Sequence, residues 1–81
     1  MLEETESSAE TSAQRYLREL WGTQLGSPDI GVHEDFFAAG GSSMQVIEML
    51  MTVANEFERE IDYAEFLRDP CILKLSRMLV Q

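Results

Sequence analysis

Three runs of the chain carry apolar residues at helical spacing. The first is Ala13, Tyr16, Leu17, Leu20 and Trp21, at i, i+3, i+4, i+7 and i+8, one stripe of a 3.6-residue period. Thr11 or Ser12 precedes it as a capping residue and Gly22 follows as a stop, so a helix is expected between them. Trp21 falls in register with the stripe and reads as core; Arg15, Arg18 and Glu19 lie off it and face water. The second run goes from Met44 to Phe57. Val46, Ile47, Leu50, Ala54 and Phe57 form its buried stripe with Val53 beside it. Gln45, Glu48, Thr52, Asn55 and Glu56 form the wet face, and Met44, Met49 and Met51 the boundary. The third run is Ile72, Leu75 and Leu79, with Leu73 and Met78 beside it. Asp69 is its expected N-cap and Pro70 its first turn, with Lys74 and Arg77 late, where cations suit the helix dipole. Ahead of it, after the polar connector Glu58-Arg59-Glu60-Ile61-Asp62, a short helix from Tyr63 to Leu67 is expected, capped by Asp62. No strand alternation and no internal repeat interrupts this pattern, so the chain reads as an all-α, four-helix bundle with a short third helix.

Between the first two helices, from Thr23 to Gly41, the period disappears and Gly26, Pro28 and Gly31 punctuate the segment. A loop that long in a small domain is usually functional or disordered. Leu25, Ile30, Val32, Phe36 and Phe37 give this one five apolar pegs, so it is expected to lie packed across the helices. Residues 1–11, MLEETESSAET, are acidic with almost nothing to bury and read as a disordered tail, leaving 12–81 as one folded domain.

Charge and size then narrow the possible roles. A chain of 81 residues buries only about 60–65% of its unfolded surface, which leaves little room for an enclosed active site. Fifteen acids against six basic residues, net charge −9, repel nucleic acid and anionic membranes and favour partners with basic surfaces. Residues 29–69 alone hold ten of the acids and two arginines. The apolar runs are too short to span a bilayer, no secretory signal opens the chain, and the single cysteine, Cys71, suits a reducing cytoplasm. The opening Met1, the short tail and the stop after the last helix favour a discrete protein.

Catalysis and metal binding fail by elimination. A G-x-S-x-G elbow needs a glycine two residues after its serine, and Gln45 and Met44 stand at those places after Ser43 and Ser42. Cys71 falls in the first turn of a core helix, and His33, the only histidine, reads as a solvated loop residue beside Glu34 and Asp35. Zinc, calcium and phosphate-loop spacings are all missing, so no catalytic residue and no metal ligand is assigned. What remains is Gly40-Gly41-Ser42-Ser43 at the head of the second helix. A hydroxyl there points into the positive end of the dipole and is open to an incoming enzyme, ready to be modified. The same four residues equally suit a plain N-cap, worth about 1 kcal/mol. By themselves they do not separate the two readings, and on these four residues alone the cap prevails.

The wider stretch Glu34-Asp35-Phe36-Phe37-Ala38-Ala39-Gly40-Gly41-Ser42-Ser43-Met44 resembles the signature of peptidyl carrier proteins, the thiolation domains of nonribosomal peptide synthesis. Leu25-Gly26 and Ile30-Gly31-Val32 resemble the family's loop; Ile61-Asp62-Tyr63 and Asp69-Pro70-Cys71-Ile72 resemble its third helix and the start of its fourth. Ser42, Met44, Cys71 and the Ala38-Ala39 pair depart from the commoner family residues. The resemblance implies the acyl carrier protein type of bundle, a non-enzymatic monomer in the cytoplasm. It implies 4′-phosphopantetheine from coenzyme A carried covalently on Ser43, with aminoacyl or peptidyl groups held as thioesters for the biosynthesis of secondary metabolites such as antibiotics. Implied partners are a phosphopantetheinyl transferase, an adenylation enzyme, and condensation, tailoring or thioesterase enzymes, docking around Met44, Ile47, Tyr63 and Leu67. An acyl carrier for fatty or polyketide chains is the second reading, disfavoured because Phe-Phe-x-x-Gly-Gly-x-Ser suits the peptidyl branch. An unmodified helical adaptor is the third.

Overall fold

Among the described residues four helices, in chain order, make up the fold: α1 (Leu2–Leu25), α2 (Ser43–Phe57), α3 (Tyr63–Leu67) and α4 (Ile72–Leu79). The computed structural model describes residues 2–27 and 29–80, with side chains from residue 11 onward. Among the described residues there is no strand, and the all-α bundle with a long first loop and short third helix is the observed architecture.

The bundle closes around Trp21, which is fully buried. Its indole stands edge-on to Phe36 of the loop, with centroids 4.7 Å apart at 89°, and edge-on to Phe66 of α3 at 6.3 Å and 88°. Edge-to-face pairs add about 0.5–1.5 kcal/mol beyond their burial, so three segments are tied together through one ring. Ala13 and Leu17 of α1, Val46, Met49, Leu50 and Val53 of α2, Ile30 of the loop, and Ile72, Leu75 and Leu79 of α4 complete the core. Ser76, the one polar or charged residue buried among the described residues, donates its Oγ–H to the Leu73 carbonyl at 2.8 Å and so enters the core satisfied.

Four expectations are revised. First, α1 is longer than its apolar stripe at both ends. It begins at Leu2, so residues 2–11, read above as a disordered tail, have helical backbone; Met1 lies outside the described residues. Glutamate and alanine are good helix formers, and acids at the N-terminal end suit the dipole. The helix also runs through Gly22. The Ser27 N–H donates to the Gly22 carbonyl at 3.1 Å while Gly26 adopts φ +69°, which is the Schellman arrangement with Gly26, not Gly22, at C′. Gly22 is needed for space, since a Cβ there would lie 2.8 Å from the Ser27 carbonyl oxygen.

Second, α2 is rotated from the expected stripe. Val46, Met49, Leu50 and Val53 are its buried residues, while Ile47 is 42% exposed and Ala54 and Phe57 are half-buried. The sequence carries two overlapping helical stripes, 46-49-50-53 and 47-50-51-54, and both satisfy the period. Third, Phe37 is exposed, so four of the five loop pegs, Leu25, Ile30, Val32 and Phe36, pack against the core. Fourth, α4 is capped at Cys71 and starts at Ile72, not at Asp69-Pro70. The Pro70 carbonyl is turned out to accept the Phe36 N–H at 2.8 Å, so it cannot enter the helical ladder. The Val32 carbonyl accepts the Leu73 N–H at 2.9 Å, satisfying an orphan donor of the first turn that no side chain caps. Lys74 therefore stands early in α4, where it pairs with Glu65 of α3 at 3.0 Å, while Arg77 occupies the last turn.

The end of α2 is a residue out of its preferred conformation. Glu58 takes φ +52°, and the Arg59 N–H donates to the Ala54 carbonyl at 3.0 Å to close the cap. The Arg59 guanidinium then donates to the Met78 and Leu79 carbonyls, at 3.1 and 2.6 Å, and so covers the α4 C-terminus. A left-handed non-glycine residue costs roughly 1–2 kcal/mol. Glu58→Gly is expected to raise stability by about 1 kcal/mol, read as a higher urea midpoint at unchanged m-value. A lower midpoint would contradict this reading of the cap.

Candidate functional site

The site is built on the last turn of the loop. Asp35 Oδ1 accepts the Phe37 N–H at 2.8 Å and the Ala38 N–H at 3.1 Å, and the Asp35 carbonyl accepts the Ala39 N–H at 2.9 Å. The Phe37 and Phe36 carbonyls then accept from Gly40 and Gly41, at 3.0 and 2.9 Å. Residues 36–41 thus form one tight, self-bonded turn with Asp35 as its cap, and Phe36 hangs from it into the core. The two glycines do separate work here. Gly40 has φ +107° with open space around its Cα, so it supplies conformation. Gly41 supplies room: a Cβ there would land in the Phe36 ring and 2.9 Å from the Phe36 carbonyl oxygen.

Directly beyond the glycines the two serines divide. Ser42 is the N-cap, in extended conformation with φ −106° and ψ 168°. Its Oγ accepts the Gln45 N–H at 3.2 Å, and Gln45 Oε1 accepts the Ser42 N–H at 2.9 Å, a complete capping box. Ser43 is the first helical residue. It is exposed, and its hydroxyl makes no hydrogen bond among the described residues. Of the first N–H groups of α2, those of Gln45 and Val46 are taken by Ser42, which leaves those of Ser43 and Met44 open. A free hydroxyl therefore stands beside two free backbone donors at the positive end of a 15-residue helix. That arrangement fits a phosphodiester on Ser43: the oxygen is reachable, needed by no other group, and next to donors that stabilise a negative charge.

An apolar surface runs from this point along α2. Met44 and Met51 are 64% and 68% exposed, and Ile47 lies on the stripe between them. Ile47, Leu50, Met51, Ala54, Ile61 and Tyr63 line a groove of about 420 Å³. Of the four residues singled out from the sequence, Ile47 and Tyr63 thus share one groove. Met44 and Leu67 lie outside its lining, though both are exposed. Ile47 and Leu67 are therefore not ordinary core residues. Met51, a boundary residue by period alone, joins this face; its spacing of four from Ile47 and seven from Met44 is the sequence signal for it. Gln45, assigned to the wet face, is the larger omission: Ser42-x-x-Gln45 is a capping-box pattern readable in the sequence.

His33 is exposed in the loop and Cys71 is buried, where desolvation pushes its thiol above the ordinary range. Neither is set up as a nucleophile or base. Among the described residues, no helix is long and apolar enough to cross a membrane.

The family model for the phosphopantetheine attachment site matches residues 15–79. The chain is 32% identical over 63 residues to tyrocidine synthase 3 of Brevibacillus parabrevis, covering 78% of this chain and 1% of that protein. It is 29% identical over 69 residues to gramicidin S synthase 2 of Brevibacillus brevis, covering 85% and 2%. The chain thus spans only a small fraction of the length of these curated relatives. Among solved structures, it superposes on a chain from the complex of the phosphopantetheine transferase Sfp with coenzyme A and a peptidyl carrier protein, with TM-score 0.79, 25% identity, and coverage of 84% of this chain and 88% of that one. It also superposes on the McyG A-PCP structure complexed with phenylalanyl-adenylate, with TM-score 0.76, 27% identity, and coverage of 83% and 10%.

Proposed function

The chain belongs to the phosphopantetheine attachment site family, and on that premise we propose that it is a peptidyl carrier whose residues 12–81 are the carrier domain and whose Ser43 bears the arm. The observation that carries the assignment to Ser43 is the division of the serines: Ser42 spends its hydroxyl on the cap, and Ser43 keeps its own free at the exposed first residue of α2. In the attachment step, Ser43 Oγ forms a bond to the phosphorus of coenzyme A that bears the pantetheine. The pyrophosphate P–O bond breaks, the adenosine bisphosphate half leaves, and the hydroxyl proton passes to a base on the transferase. When bound, the arm supplies a thiol that holds aminoacyl or peptidyl groups as thioesters. The chain's own part is to present the oxygen, to stabilise the phosphodiester by roughly 0.3–1 kcal/mol per charge through the helix end, and to be recognised.

Recognition is assigned to Met44, Ile47, Tyr63 and Leu67, with Met51 added. All five are exposed, and Ile47, Met51 and Tyr63 line one groove, on a segment rich in acids that steers encounter with basic partners. The proposed partners are a phosphopantetheinyl transferase and an adenylation enzyme, which the similar solved structures support, and the condensation, tailoring or thioesterase enzymes of a nonribosomal pathway. The chain acts as a non-catalytic monomer in the cytoplasm. Phe36-Phe37-x-x-Gly40-Gly41-x-Ser43 favours peptidyl over fatty or polyketide cargo.

Incubation with coenzyme A, magnesium and a promiscuous phosphopantetheinyl transferase tests this. Intact mass is expected to rise by one arm, and fragmentation to locate the addition on Ser43. An unchanged mass, or an arm on Ser42, would overturn the assignment.

A further inference from the structure

Gln45 makes hydrogen bonds in two directions. Toward α2 it closes the capping box, its Oε1 accepting from the Ser42 N–H at 2.9 Å and its N–H donating to Ser42 Oγ at 3.2 Å. Toward α1 its Nε2 donates to the Gln24 carbonyl at 3.1 Å. That carbonyl belongs to the last turn of α1, where no helical N–H reaches it. One side chain therefore joins the C-terminal end of α1 to the residue immediately before Ser43. Side-chain packing does little here: Ser42, Ser43 and Met44 are exposed, and Gly40 contributes no side chain. The anchored neighbours are Gly41, under the Phe36 ring, and Val46, in the core.

We propose that Gln45 is a positioning residue for arm attachment, a two-ended brace that fixes the backbone carrying Ser43 against α1 so that Oγ is held out at a defined angle. The inference rests on the reading of Ser43 as the attachment point. Reacting atoms must meet within about 3–3.5 Å and in line, and misplacement by 1 Å costs on the order of a hundredfold. A brace that restricts only part of that freedom carries a smaller share, about tenfold. Because Gln45 is half-buried, bonded toward α1 and not a member of the exposed apolar face, it acts on the orientation of the oxygen, not on docking.

The test is steady-state attachment kinetics on the full chain with coenzyme A and a phosphopantetheinyl transferase, varying the carrier concentration. Gln45→Met removes both ends of the brace at similar volume. It is expected to lower kcat about tenfold with KM for the carrier within twofold of wild type. Gln45→Glu keeps the acceptor for the Ser42 N–H but loses the donor to Gln24 that ties it to α1; it is expected to lower kcat about threefold to fivefold, between Gln45→Met and wild type, with KM for the carrier unchanged. Arg59→Met, which uncovers the far end of α4, is the control for general loosening and is expected to attach at the wild-type rate. Wild-type kcat in Gln45→Met, a loss confined to KM, or an equal loss in Arg59→Met would each overturn the inference while leaving Ser43 as the attachment point. If Gln45→Met does not fold, a wild-type kcat in Gln45→Glu overturns it instead. Failure of the wild-type chain itself to take the arm is a different result and sinks the underlying reading.

Discussion

Ser43→Ala is expected to abolish arm attachment completely while shifting stability by no more than about 0.5 kcal/mol. The hydroxyl is exposed and makes no hydrogen bond among the described residues, so removing it leaves no donor or acceptor stranded, and alanine is the better helix former at a first-turn position. Ser42→Ala is expected to give the opposite result. It removes the oxygen that accepts the Gln45 N–H, costing about 1 kcal/mol, yet the chain still takes one arm at the end point. Intact mass after exhaustive treatment, together with urea midpoints of both variants, separates chemistry from capping at two adjacent serines. A Ser43→Ala protein that gains the arm, or a Ser42→Ala protein that does not, would reverse the division of labour read from the capping box.

Gly41→Ala is the largest structural effect expected from a single methyl group in this chain. Its Cβ would occupy the space of the Phe36 ring, which cannot retreat because Trp21 stands edge-on behind it at 4.7 Å. The turn also cannot open easily, since the Gly41 N–H is bonded to the Phe36 carbonyl and the Phe36 N–H to the Pro70 carbonyl. Overpacking costs about 1–3 kcal/mol, and displacing a buried phenylalanine approaches the 3–5 kcal/mol range. A loss of about 3 kcal/mol is a large part of the stability of a domain this small. Gly40→Ala meets open space and only an unfavourable φ, at about 1–2 kcal/mol. Urea unfolding followed by the fluorescence of Trp21, the sole tryptophan, measures both. Phe36→Leu combined with Gly41→Ala is expected to cost less than the sum of the two changes, because the smaller side chain vacates the contested space. Equal costs for Gly40→Ala and Gly41→Ala would remove the steric account of the second glycine.

The local pattern was sufficient where one stretch of chain answers to itself. Helical period announced α2 and α4, Asp62 announced α3 by capping the Glu65 N–H, and Trp21 in register with the α1 stripe announced a core residue. Ser43 was legible as a helix-head serine, though the cap was open to either serine until the structure gave it to Ser42. Period failed where it admitted two solutions: α2 carries two apolar stripes one residue apart, and burial of Met49 with exposure of Ile47 depends on which side faces α1 and α4.

Residue types and their spacing, with no fold in view, were enough for an acidic all-α bundle, a packed loop and a serine displayed at the head of its second helix. Those follow from periodicity, capping chemistry and charge, which act within a few residues. The folded chain alone assigned conformation to Gly40 and space to Gly41, moved the start of α4 to Ile72, and joined Gln45 to Gln24. Each of these depends on where a backbone N–H, a carbonyl or a ring from a distant segment comes to rest. Such pairings, Phe36 with Pro70, Val32 with Leu73, Phe36 with Trp21, leave no local period to read because their partners are brought together by packing.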